Sequence, residues 1–266
     1  MEGKSGHVNS IEKAFILLDC FLNNNEPLSL KELTERTGWP KSTIHSLLSA
    51  MRRQEIIVQN ADGKYAMGIH VFQLGSAMVR ALDIVKIAKP LMKEVADSVN
   101  RSVHLTTLRA NHAVIIARVE PVNNRLKTIV AVGSSMPLYC NAHGKVYLSC
   151  MLDNAVKEYV RTTELIPYTS KTIIDYDALF EEITAIRKQG YALERDERHM
   201  GMFGVAAPIF DAMGKVVYAF GVVGMFDNMS TSDLQSAIAL VKKIAHIISY
   251  QLGYNDKRNQ SDRNAK

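Results

Sequence analysis

Cysteine is scarce in this chain and tryptophan almost missing: three cysteines and one tryptophan in 266 residues. Cys20, Cys140 and Cys150 show no framework spacing, which excludes a small secreted domain held together by bridges. Long apolar runs are lacking as well. The longest, Tyr218 to Phe226, falls far short of the ~20 residues that span a bilayer. Met1 to Ser10 is polar, without the apolar stretch of a secretory signal. The expectation is a soluble cytoplasmic protein with no membrane partner. Nor does one sign of charge dominate. The net +5 divides into +1 over residues 1–80 (nine basic, eight acidic), +1 over 81–101 (four, three), +1 over 102–254 (fifteen, fourteen) and +2 in the tail 255–266 (four, two). A nucleic-acid partner would therefore have to be met by a local face rather than by a basic domain. Gly-Lys-Ser/Thr phosphate loops and dinucleotide fingerprints are absent, and no cofactor is expected.

What remains is ordinary globular material, 47% hydrophobic and 22% charged, long enough for one large or two modest domains. The first 67 residues carry a dense set of signals. Ile11, Ala14, Phe15, Leu18, Phe21 and Leu22 recur at helical spacing and predict a helix over about 8–22, ended by Asn23-Asn24-Asn25 and Pro27. Ser29-Leu30-Lys31-Glu32 fits a capping box opening a short helix to Thr37, which Gly38 stops. Trp39-Pro40 opens a third helix to about Gln54, with Pro40 suited to the first helical position. Ile56 to Gln59 and Lys64 to Met67 read as strands around an Asp62-Gly63 turn. Three helices followed by a hairpin outline a winged helix-turn-helix.

The third helix has two faces. Ile44, Leu47, Leu48 and Met51 share an arc of about 100°. Ser42, His45, Ser46, Ser49, Arg52 and Arg53 fill an opposing arc of about 120°, and the stretch from Thr37 to Gln54, which also holds Lys41, contains no acid. Short hydroxyls let a helix approach a groove, and Arg pairs bidentately with guanine. Ser29 would touch phosphate and Lys64, in the wing, the adjacent backbone. A polar face is also what any surface helix carries. The companion helix, the Gly38 turn and the wing favour DNA.

Beyond Gly68 the pattern is helical to Asn100, with Pro90 expected to kink or restart it. Hairpins are predicted over Val103–Leu108 with Ala113–Arg118 and over Val205–Phe210 with Lys215–Val223. A further strand is expected at Leu126–Val132, and helices at Gly144–Met151, Asp177–Lys188 and Thr231–Tyr250. Mixed strand pairs and helices argue α+β with an antiparallel sheet. Leu234, Ile238, Val241, Ala245, Ile248 and Leu252 form a heptad-like seam in the last helix, suited either to packing on the sheet or to a subunit interface.

The stretch from Leu28 to Leu33, then Trp39-Pro40-Lys41-Ser42-Thr43-Ile44-His45, resembles the IclR family of bacterial transcription regulators. So do Tyr65-Ala66-Met67-Gly68 with Phe72-Gln73-Leu74-Gly75, then Ala142-His143-Gly144-Lys145, and Asp196-Glu197 with Gly201 and Val205-Ala206-Ala207-Pro208. The likeness covers about residues 8–252. It adds Lys41 and Thr43 to the DNA face, and departs from the family pattern at Ser46, often Arg, and near Glu55, usually Gly.

The resemblance supports this fold class and its divisions: α+β, with a winged helix-turn-helix DNA-binding domain (1–67), a helical linker (68–90) and a GAF-like effector-binding domain with an antiparallel sheet flanked by helices (91–254). The tail (255–266), with no apolar residue except Ala265, is expected to be disordered. The linker around Ala81 to Pro90 would transmit the signal. The resemblance further implies binding of a near-palindromic double-stranded operator by a homodimer, and pairing of dimers into a homotetramer, a dimer of dimers. It implies an effector, a small organic acid or aromatic metabolite, in a cup lined by Tyr139, Cys140, Asn141, Ala142 and His143, by Glu194 or Asp196, and by Gly204, Gly221 and Val223. Backbone amides at Gly144-Lys145 are expected to receive a carboxylate. Family members that bind small acids often carry Cys at position 204 and Ser at 221 and 223. Their replacement here implies a wider, less polar pocket and an effector larger than a two- or three-carbon acid. The alternative is a GAF-like enzyme using Cys140 and His143 as nucleophile pair or metal ligands.

Overall fold

The computed structural model of the chain describes residues 10–22, 26–81, 83–122, 130–226 and 230–255. It divides into two compact units, Met1–Leu82 and Asp83–Lys266.

The first unit contains α1 (Ser10–Asp19), α2 (Leu30–Thr37), α3 (Lys41–Arg53), the strands β1 (Ile57–Gln59) and β2 (Tyr65–Met67), and α4 (Ile69–Ala81). The predicted starts of α2 and its cap are those observed: Ser29 and Glu32 form the reciprocal capping box. Gly38 takes a left-handed φ of 69° and returns its amide to the Thr34 carbonyl, a conformation that glycine adopts without steric cost. That turn sends the chain into α3. Pro40 stands one position earlier than expected, outside the helix, because its ψ of 140° is extended. Its carbonyl accepts the amides of Thr43 and Ile44. Leu17, Leu33, Ile44, Leu48, Ile57 and Tyr65 close a small core, and a bridge from Leu28 to Tyr65 ties the α2 entry to the wing. At the end of α3, Glu55 has a left-handed φ of 54°. The backbone there takes a form that suits glycine, which is the residue the family resemblance places nearby.

The second unit begins with α5 (Asp83–Val99). This helix runs on through Pro90 instead of restarting there. Pro90 lies on the exposed side, where the ring and the missing amide are tolerated. The stretch 68–90 is thus shared between α4 and the first half of α5. The sheet follows: β3 (Ser102–Arg109), β4 (His112–Val119), β5 (Ser135–Pro137), β6 (Ala192–Arg195), β7 (Met202–Phe210) and β8 (Val216–Met225), with α6 (Ala142–Ser149), α7 (Asp153–Thr162) and α8 (Tyr176–Gln189) between β5 and β6, and α9 (Thr231–Gln251) last. Strand order is β5-β4-β3-β8-β7-β6, antiparallel at every step. The expected strand at 126–132 and the expected disordered tail fall largely outside the described residues. So do Val8, Asn9 and the three asparagines after the first helix.

Helices α5 and α9 pack on β3, β4, β7 and β8, while α6 packs on β6, β7 and β8 and against α8. On the α6 side the sheet presents Ala113, Ala192, Ala206 and Ala219 to Tyr139, Val146 and Tyr147. Small residues on the strands let this helix lie close to the sheet. Of the α9 seam, Val241, Ala245 and Ile248 are buried within the chain, the packing arrangement rather than a free interface.

Candidate functional site

On α3 the apolar arc is inside, with Ile44, Leu48 and Met51 buried. Lys41, Ser42, His45, Ser46, Arg52 and Arg53 are exposed, and Thr43 and Ser49 partly so. Arg52 is held: its Nη1 donates to Gln59 Oε1 at 2.7 Å, and Gln59 Nε2 donates to the Gly63 carbonyl at 2.9 Å. The guanidinium therefore links the recognition helix to the wing tip and keeps its other N–H groups for a partner. Lys64 is exposed in the same hairpin. It lies close enough to Glu32 to help hold that carboxyl below its usual range, after the larger effect of hydrogen bonds from Ser29. Ser29, expected at phosphate, is engaged in its own cap. Its hydroxyl proton goes to Glu32 Oε2 at 2.7 Å, and its oxygen accepts the Glu32 amide.

The second constellation assembles on the α6 side of the sheet. Register places Gly221 opposite His104 on β3 and opposite Ala206 on β7, with Gly204 opposite both Val223 and Glu194. A Cβ on Gly221 would lie 2.4 Å from the Val205 carbonyl and 2.9 Å from His143 Cε1. Glycine there admits the imidazole of α6 and does not widen a pocket, so the expected extra space is already filled. A Cβ on Gly204 would meet Glu194 Oε2 at 3.2 Å and Ala142 at 3.4 Å. Val223 is half-buried on the same face. Thus Ala142, His143, Gly204, Gly221 and Glu194 do come together.

Other expected residues take different roles. Asn141 caps α6, its Oδ1 accepting the Gly144 amide at 2.8 Å, and its carbonyl accepts the Lys145 amide. The helix start expected to receive a carboxylate is therefore already supplied. Tyr139 is buried and donates to the Ile166 carbonyl at 2.8 Å. Asp196 leaves the strand at φ 61°, and its carboxylate turns to Lys171 Nζ and the Gly201 amide, each at 2.6 Å. Lys171 holds that carboxyl below its usual range. Of the two acids offered, Glu194 faces the site and Asp196 does not.

Sequence reasoning passed over three residues here. His104, 1% exposed, belongs to no motif in the sequence. Both its ring nitrogens lack a hydrogen-bond partner among the described residues. Its ring centroid is 6.0 Å from that of His143, whose Nε2 stands 3.4 Å from the His104 carbonyl. Burial pushes the two imidazoles down to about 3 and about 4 respectively, so both are neutral. Arg198 is the second. Its guanidinium carbon lies 4.1 Å from the Tyr168 ring centroid, it hydrogen-bonds Cys140 and Tyr168, and its Nη1 is buried without a partner. Lys145 is the third, a fully buried lysine whose Nζ meets Glu197 Oε1 at 2.6 Å and Glu182 Oε1 at 3.4 Å. Only the lysine had a sequence signal, the Gly-Lys motif itself.

Glu194 Oε1 accepts the amides of Glu197 and Arg198 at 3.1 and 3.3 Å, and burial raises its carboxyl to about 7. Cys140 is buried and its thiol is pushed up to about 11 by that burial, against the pull of Arg198. It is a neutral thiol bonded to Arg198, and the nucleophile pair with His143 is not built. Among the described residues no group of three His, Cys, Asp or Glu side chains is placed to hold a metal ion, and no helix is long and apolar enough to cross a membrane.

Comparison with known proteins decides the family. Residues 76–250 match the family described as "Bacterial transcriptional regulator IclR C-terminal", and residues 10–61 match the IclR helix-turn-helix domain. The chain belongs to the IclR family. It is 29% identical over 253 residues to the DNA-binding transcriptional repressor YiaJ of Escherichia coli, covering 92% of this chain and 88% of that one. The IclR transcriptional regulator of Alicyclobacillus acidocaldarius superposes with a TM-score of 0.83 at 24% identity, over 92% of this chain and 98% of that chain. An IclR homologue from Microbacterium hydrocarbonoxydans, complexed with 4-hydroxybenzoate, superposes with a TM-score of 0.78 at 20% identity, over 92% and 99%. These structures share the fold. As a member of the IclR family the chain is a DNA-binding transcription regulator and not an enzyme.

Proposed function

We propose that this IclR-family protein is a repressor of catabolic genes whose hold on a near-palindromic operator is changed by a small organic effector bearing a carboxylate. The observation that carries the reading is the buried polar face of the sensor sheet, where His104 and Arg198 keep unpartnered nitrogens. A buried donor without an acceptor costs about 1–3 kcal/mol, and native proteins rarely leave one so. A polar ligand among His104, His143, Glu194 and Arg198 would complete it. The 4-hydroxybenzoate bound by the Microbacterium relative supports an aromatic acid as the class to try first.

DNA binding is proposed to use Lys41, Ser42, Thr43, His45, Ser46, Ser49, Arg52, Arg53 and Lys64, in two copies. One recognition helix reads only a few bases, and a dimer spans two half-sites about one helical turn apart. The effector acts only by binding the DNA-competent and DNA-incompetent states unequally. The test is operator anisotropy of the full-length protein on its own promoter fragment, with benzoate, 4-hydroxybenzoate, pyruvate and glyoxylate added in turn. An aromatic acid that shifts the operator midpoint severalfold is the expected result. Operator affinity unmoved by all four, or moved only by glyoxylate, overturns this reading of the effector.

A further inference from the structure

Among the described residues, no carboxylate forms an ion pair with Arg198, and its Nη1 has no hydrogen-bond partner. The side chain's hydrogen-bond partners are the Cys140 thiol, which burial keeps neutral, and the Tyr168 hydroxyl. The guanidinium carbon lies 4.1 Å from the centroid of the Tyr168 ring, which in turn stacks on Tyr139 with ring centroids 6.4 Å apart. The backbone amide of Arg198 is fixed by Glu194. The side chain is thus positioned from three sides while Nη1 stays buried and unpartnered. A guanidinium fork prepared in this way fits a planar oxyanion. At the N-terminus of α6, the other place an anion might be received, Asn141 takes the Gly144 and Lys145 amides, which leaves the Ala142 and His143 amides as the only backbone donors of that turn.

Resting on the effector reading above, we infer that Arg198 is the residue that takes the effector's carboxylate, and that the site selects a monoanionic carboxylate over a phosphate ester. The selection follows from the carboxyl group beside Arg198. Glu194 Oε1 accepts the backbone amides of Glu197 and Arg198 at 3.1 and 3.3 Å. Glu197 is already matched by Lys145, but Glu194 has no cation of its own within hydrogen-bond reach among the described residues. A dianion brought to Arg198 would add a second negative charge beside that carboxyl, whereas a carboxylate adds one.

The experiment is isothermal titration of the full-length protein with benzoate, 4-hydroxybenzoate, benzamide and phenyl phosphate, repeated on Arg198→Gln and Arg198→Lys. Wild type is expected to bind at least one carboxylate, with the amide and the phosphate ester at least tenfold weaker. Arg198→Gln should weaken the carboxylate at least tenfold, the size of one charge-assisted hydrogen bond. Arg198→Lys, which keeps the charge and loses the fork, should fall between. Equal carboxylate affinity in wild type and both variants overturns the role of Arg198 while leaving the effector reading in place. Phenyl phosphate binding more tightly than benzoate overturns the selectivity. If none of the four binds wild type, the inference fails together with the aromatic-acid effector reading beneath it.

Discussion

The ammonium of Lys145 and the carboxylate of Glu197 meet at 2.6 Å with the lysine fully buried. They join α6 to the loop that follows β6, the two segments that carry His143 and Arg198. A second contact to Glu182 adds α8. Buried pairs of this kind contribute little net stability, yet removing one partner strands a charge. Lys145→Met is therefore expected to destabilise the sensor unit by about 3–5 kcal/mol in urea unfolding. Lys145→Met combined with Glu197→Gln should recover a large part of that loss. A single variant as stable as wild type would refute the account.

The two imidazoles make the sensor acid-sensitive. Burial lowers His143 to about 4 and His104 to about 3, so the unfolded chain binds protons there that the folded chain refuses. Their contribution is fully present above about pH 6.5 and is lost as pH falls toward 4. Glu194 runs the other way. Its raised value of about 7 means that its contribution is largest at low pH and declines as pH rises from about 4.5 to 7. Urea midpoints measured from pH 4 to 8 should show the acid limb flatten in His104→Leu. Glu194→Gln should remove the decline toward neutrality.

Arg52→Ala is expected to weaken operator binding. If the freed N–H groups of Arg52 meet phosphate, the loss is similar on all sequences and the salt slope falls by about one. Gln59→Ala, which releases the wing from Arg52, should weaken binding less. Unchanged affinity in Arg52→Ala would remove this end of α3 from the interface.

Glu55 sits at φ 54°, a left-handed conformation that disfavours a β-carbon by roughly 1–2 kcal/mol. Glu55→Gly relieves it, less the extra entropy of a glycine in the unfolded chain. The expected gain for the DNA-reading unit is about 0.5–1 kcal/mol, read as a higher urea midpoint.

Local chemistry explains which parts of this structure sequence alone revealed. The Ser29–Glu32 capping box, the Gly38 stop and the alternation along β3, β4, β7 and β8 are short-range signals, and the elements they predict are present. Strands β5 and β6 escaped notice because they have three and four residues, too few to show alternation. Helix α7 buries only Val156 and Tyr159, too sparse a pattern to register. The site was legible in its glycines and in His143, but not in Arg198. That side chain is aimed by a loop whose left-handed step at Asp196 no spacing rule forecasts. Ser29 shows the converse limit: a capping residue and a phosphate donor look identical until the proton is assigned.

The sheet order also has a temporal meaning. Strand β3 lies beside β8, so Ser102 is paired with Val223 and the middle of the sensor is sealed by its final strand. A ribosome must release the chain through β8 before this unit closes, whereas the contacts of the reader are complete within residues 1–82. Pairings so distant in sequence form slowly. During synthesis the reader is expected to fold first, joined to a sensor that has yet to form.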